Sequence, residues 1–159
     1  TCHDYSMDDT ENLTKVHIDL GASGGEAMWA KPLGDELYEL RNIPFHAYDL
    51  NFRDVVRAVE QRPDLKPSIE AVVRRSGHRT IWITFKESVD RETRVALATE
   101  LNEWRGYHEG KDGRYFAIDV EPEGSYDSVV ARIEEWWRAG LLEQFRTGPA
   151  SSDLRERPG

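Results

Sequence analysis

The sequence predicts an α+β protein in two parts: an N-terminal small bent β-sheet or barrel-like half, and a C-terminal ferredoxin-like βαββαβ half. Three observations carry this. Before residue 76 the apolar residues alternate in short runs punctuated by Gly, Pro, Asn and Asp. Beyond it, two stretches change to helical spacing, each opened by a capping residue and closed by glycine. The order there is strand, helix, strand, strand, helix, strand. Hydrophobic residues are 38% of the 159, and aromatic ones 10%, enough to fill a core, so wholesale disorder is not expected.

Within the first half (13–75), residues 15–20 alternate, with Val16, Ile18 and Leu20 on one face and Lys15, His17 and Asp19 on the other. The glycine-rich stretch 21–25 reads as a hairpin connection, because a phosphate-binding loop needs a following helix N-terminus. Residues 26–31 form a second strand with Met28 or Trp29 inward, and 32–35 carry turn chemistry. A third strand covers 36–41 and ends at Pro44, which cannot donate to a ladder. Residues 52–59 and 68–75 are β-branched and strand-like, separated by a proline-punctuated loop at 61–67.

The second half (76–147) opens with a strand at 79–86, placing Ile81, Ile83 and Phe85 in phase. Asp90 caps a helix over 91–104, with Val95, Leu97, Ala98, Leu101 and Trp104 as its apolar stripe and Gly106 as its stop. Strands at 107–109 and 115–120 flank an Asp112-Gly113 hairpin turn. Ser125 caps a second helix to Ala139, and 141–146 close the sheet. The ends, 1–12 and 148–159, read as flexible tails, with Met7 a candidate natural start.

Charge narrows the function classes. The formal net charge is −9, which repels a phosphate backbone and disfavours nucleic acid, and suits either plain solubility or a basic partner. Cys2 is the single cysteine, so an internal disulfide is excluded and a reducing, cytoplasmic compartment is expected. No apolar run reaches a membrane span's length, and no signal-peptide pattern appears. No cofactor or metal is expected: none of the five histidines forms an HExxH or an i, i+4 pair, and no Walker, GxGxxG or GxSxG motif is present.

Candidate catalytic residues are His46, Asp49 and His78, which sit in loops. If the three met in space they could do acid–base work. The ordinary alternative is a pair of solvated histidines. Arg74, Arg75 and Arg79 form a basic run around the candidate His78, suited to an anion or acidic partner, or to a solvated strand end. Trp82 faces opposite to Ile81 and Ile83, where an open sheet would present it for stacking. Of Trp136 and Trp137, about 100° apart on a helix, one belongs in the core while Trp137 suits an interface.

In this order the chain carries Met28-Trp29-Ala30-x-Pro32-Leu33-Gly34, Leu40-Arg41-Asn42-Ile43-Pro44-Phe45-x-Ala47-Tyr48, Asp54-Val55-Val56-Arg57-Ala58, Arg75-Ser76-Gly77-His78-Arg79-Thr80 and Gly113-Arg114-x-x-Ala117-Ile118-Asp119-Val120. With these it resembles the bacterial family termed domain of unknown function 4265, over residues 16–146. The resemblance implies a bacterial, cytoplasmic origin. It brings no activity, cofactor or catalytic residue, but directs attention to the loops at 44–49 and 76–80.

The leading expectation is a non-enzymatic binding module engaging a protein partner, for instance an immunity- or antitoxin-like protein masking a basic toxin. The alternative is a small enzyme or ligand-binding regulator with His46, Asp49, His78 and Arg79 lining a cleft between the halves. A second alternative is single-stranded nucleic-acid binding by the open sheet, with Trp82 as platform. The motifs lean against an enzyme, and oligomeric state is not legible.

Overall fold

Residues 12–149 are described by a computed structural model, so the expected tails, with Cys2 and Met7, fall outside the described residues except for Asn12, Gly148 and Pro149. The alternation of Val16 and Ile18 makes β1 (Thr14–Asp19), both side chains buried and Asp19 exposed. It pairs antiparallel with β2 (Gly25–Gly34), which turns Met28 and Ala30 inward. The turn expected at 32–35 is corrected: β2 runs on through Pro32 to Gly34 and the chain turns at Asp35 and Glu36, with Gly34, Asp35 and Glu36 all at positive φ. Pairing with β1 stops at Ala30. Beyond that point no described strand pairs with β2 on that side, where a residue lacking an N–H costs no ladder bond.

β3 (Leu37–Leu40), β4 (Val55–Val59) and β5 (Ser68–Arg74) continue the antiparallel meander. β5 then meets β1 in parallel at His17 and Ser68, closing a five-stranded barrel. An up-and-down ring with an odd number of strands must have one parallel seam. Its interior is filled by Val16, Met28, Leu40, Val56 and Ile69, and plugged by Ala47 and Leu50 from the long β3–β4 loop, residues 41–54.

The second half runs β6 (Arg79–Phe85), α1 (Arg91–Glu100), β7 (Gly106–Lys111), β8 (Tyr115–Val120), α2 (Tyr126–Arg138) and β9 (Leu142–Thr147). The sheet order is β7-β8-β6-β9, every neighbouring pair antiparallel. Ile81, Ile83, Phe85, Phe116 and Ile118 share one core with Ala98 and Leu101 from the first helical segment and Val129, Ile133 and Trp136 from α2. Both helices therefore cover the same face. Asp90 and Ser125 cap them as expected, accepting from Thr93 N–H at 2.8 Å and Ser128 N–H at 3.2 Å.

Two expectations about α1 are corrected. Val95 points outward, 41% exposed, because the inward stripe is carried by Ala98 and Leu101. The turn is ended by Arg105 in the left-handed region, not by Gly106. Gly106 starts β7, where a Cβ would stand 3.2 Å from Val129 and 3.3 Å from Leu101, so its role is close packing.

The opposite face of the sheet is not open. Ile43 and Phe52, from the 41–54 loop, pack on Trp82 and Ala117 in a third core cluster that joins barrel to sheet. Trp82, expected as an exposed platform, is 2% exposed. Among the described residues no helix is long and apolar enough to cross a membrane.

Candidate functional site

The 41–54 loop is held from below and above. The Glu26 carboxylate on β2 accepts the N–H groups of Phe45, His46 and Ala47 at 2.7, 3.0 and 2.9 Å. Trp82 Nε1–H donates to Pro44 O at 2.7 Å, and Tyr115 donates its hydroxyl to Phe45 O. Asn42 Oδ1 accepts from Trp29 N–H at 2.7 Å. The Asn-Ile-Pro-Phe stretch thus acts as a clamp, with Ile43 in the junction core.

The Ser76-Gly77-His78 turn closes the other end of this seam. Ser76 Oγ donates to Phe52 O at 2.7 Å and accepts from His78 N–H at 3.1 Å across Gly77, whose φ is 95°. Asp54, fully buried, accepts from Ser76 N–H at 2.9 Å and from Arg75 Nη1 at 2.7 Å. Burial pushes the Asp54 carboxyl above its usual range, against the pull of the Ser76 N–H and of Arg75. His78 Nδ1–H lies 2.9 Å from each oxygen of the buried Asp119. Thr80 Oγ1 donates to Asn51 Oδ1 at 2.7 Å. On neighbouring β7, burial, then the charge of Asp119, raises the Glu109 carboxyl, and burial lowers the His108 imidazole.

Of the three residues whose meeting would make an acid–base site, the two histidines stand apart. His78 sits at Asp119, whereas His46 stacks on Tyr115, ring centroids 5.7 Å apart. Tyr115 and Asp119 are separated along β8 by about 13 Å of strand rise. Asp49 gives its backbone carbonyl to Arg75. His46 and His78 are held apart because each is recruited to a different part of the seam. Arg75 is not a solvated strand end either: its side chain is 4% exposed. Arg79 places its guanidinium 3.7 Å over the Tyr126 ring. The tryptophan pair divides as expected, Trp136 2% exposed and Trp137 48%, the latter edge-on to Phe145 at 5.7 Å.

A cleft of about 380 Å³ lies at the seam, lined by His46 and Tyr48 of the loop and by Thr84, Lys111, Asp112, Arg114, Tyr115 and Gln144 of the second half; of these, sequence reasoning assigned only His46 to a cleft. Lys111 Nζ lies 3.1 Å from His46 Nε2, and Arg146 stacks 4.2 Å over Tyr48. Burial, then the hydrogen bond with the Tyr48 hydroxyl, raises the Tyr115 phenol, so it stays a neutral donor. The one signal in the sequence was the pair of cations bracketing Asp112-Gly113; the loop that faces them lies 65 residues away. Among the described residues no group of three or more His, Cys, Asp or Glu is gathered to hold a metal ion.

The family described as Domain of unknown function (DUF4265) matches residues 26–144. No curated protein matches the chain. The chain is similar to a solved structure titled "Novel crystal structure of a hypothetical protein from Neisseria gonorrhoeae", at TM-score 0.74 and 16% identity, covering 90% of this chain and 99% of that one. At that identity the likeness speaks for the fold alone.

Proposed function

The chain belongs to the family described as Domain of unknown function (DUF4265), and from its geometry we propose that it is a non-enzymatic binding module engaging a basic protein partner. The observation that carries this is Trp137, 48% exposed at the end of α2 while its neighbour Trp136 is buried. A half-exposed indole, braced by Phe145 on the edge strand β9, is a surface that gains most when a partner covers it. Exposed Glu134 lies one turn before it on α2 and exposed Arg138 follows it, and the chain's net charge of −9 suits a cationic partner. This reading draws on no shared acid–base site, His46 standing at Tyr115 and His78 at Asp119.

The sheet order, with both helices on one face, supports reading β6–β9 as ferredoxin-like. The single cysteine fits a cytoplasmic setting.

The test is capture from a lysate of the native source with the wild-type chain and with Trp137→Ala and Glu134→Lys. A stoichiometric basic protein, lost with both variants while their circular dichroism is unchanged, is expected. Capture of nothing across several salt concentrations, or equal capture by Trp137→Ala, would sink the proposal.

A further inference from the structure

We infer that the seam cleft between the 41–54 loop and the β7–β8 hairpin is a binding site for a phosphate-class oxyanion, carried by a small phosphate monoester. The argument starts from charge. The chain has 30 acidic residues for 21 basic ones, so a surface cation has an abundance of carboxylates to pair with. Among the described residues, Lys111 and Arg146 do not use them. The contacts shown for the Lys111 ammonium are His46 Nε2 at 3.1 Å and the Phe45 ring at 5.7 Å, neither of which neutralises it. Arg146 lies over the Tyr48 ring, with no carboxylate partner among the described residues. Arg114 completes the group, with a long contact of 3.4 Å to Glu143.

Against these stand Asp112 in the lining, Glu143, which Arg114 engages, and Glu26, whose carboxylate is taken up by the N–H groups of Phe45, His46 and Ala47, so Lys111 and Arg146 are left as the cations with no carboxylate in contact among the described residues. Cations without a contacting carboxylate beside a recess offer an anion direct partners. The lining adds neutral donors: the Thr84 hydroxyl and the Gln144 amide. Two ammonium or guanidinium groups in the wall and several neutral N–H and O–H donors suit the oxygens of a phosphate better than the two of a carboxylate. A volume of about 380 Å³ exceeds a bare phosphate and falls within the range of small-ligand sites, and His46, Tyr48 and Tyr115 supply aromatic wall for an organic body.

This site is separate from the Trp137 corner, so neither proposal depends on the other. The test is titration of the ¹⁵N-labelled chain with inorganic phosphate, with phenyl phosphate, and with phenol as the uncharged control, followed by NMR. Saturable shifts centred on His46, Tyr48, Lys111 to Tyr115 and Gln144 are expected with phenyl phosphate and, more weakly, with phosphate. Phenol should give none. Lys111→Gln combined with Arg146→Gln, its circular dichroism unchanged, should weaken binding at least about tenfold, the order expected on losing charge-assisted contacts. Tighter binding of the ester assigns the site to an esterified ligand, and equal binding reassigns it to free phosphate, overturning the monoester. No saturable shift at tens of millimolar, shifts scattered over the surface, or equal affinity in the double variant would overturn the site altogether.

Discussion

Trp82→Phe probes the seam most directly. The indole is buried between the 41–54 loop and the sheet, edge-on to Tyr48 at 4.7 Å, and its N–H donates to Pro44 O at 2.7 Å. Phenylalanine keeps an aromatic ring but removes the donor, leaving that carbonyl without its partner at a cost of about 1–3 kcal/mol. The smaller ring also leaves a void of roughly 40 Å³, which adds about 1 kcal/mol. The expected total is about 2–4 kcal/mol, or a fall in Tm on the order of 5–15 °C for a chain of this size. Urea and thermal unfolding followed by far-ultraviolet circular dichroism reads it, with Trp137→Phe as the control expected to stay within about 0.5 kcal/mol. A loss below about 1 kcal/mol, or an equal loss in the Trp137 control, would refute the claim that Trp82 fastens the loop to the sheet. If barrel and sheet melt as separate units, the variant will give two transitions rather than one shifted transition.

Arg75→Met should be more costly still, about 3–5 kcal/mol, because it strands the buried Asp54 charge. Its deficit in urea unfolding should shrink as pH falls through the titration of Asp54, which lies above 3.8 in the folded chain. Glu109→Gln should stabilise the protein at pH 7. Burial and Asp119 raise that carboxyl above 4.5, so the wild type is favoured below 4.5 and loses stability as pH rises through the folded value, while the amide does not titrate. A flat difference between the two across that window would contradict it. Gly124→Ala should lower Tm markedly, since its Cβ would stand 2.4 Å from the backbone oxygen of Trp104; an unchanged melt would mean the turn gives way freely.

Periodicity alone determined the elements, and the physical reason is local. A residue's place on a strand or helix face depends on its neighbours one to four positions away. Thus Val16 and Ile18 fixed a half-buried strand, Ile81, Ile83 and Phe85 fixed the helix-covered face, and Asp90 and Ser125 fixed two helix starts. Local rules erred where packing set the outcome: Gly106 is small because Val129 and Leu101 press on it, and β2 passes through Pro32 because its neighbour has ended. The apolar phase of Trp82 was readable, but its cover was not, since the loop that buries it arrives from 38 residues earlier in the chain. Candidate sites suffered most for the same reason. His46 and His78 resemble each other as loop histidines, yet one faces Lys111 and Tyr115 and the other Asp119. Which side chains share a cleft is decided by how the barrel's long loop lies across the second sheet, and that contact between distant segments is written in no local pattern.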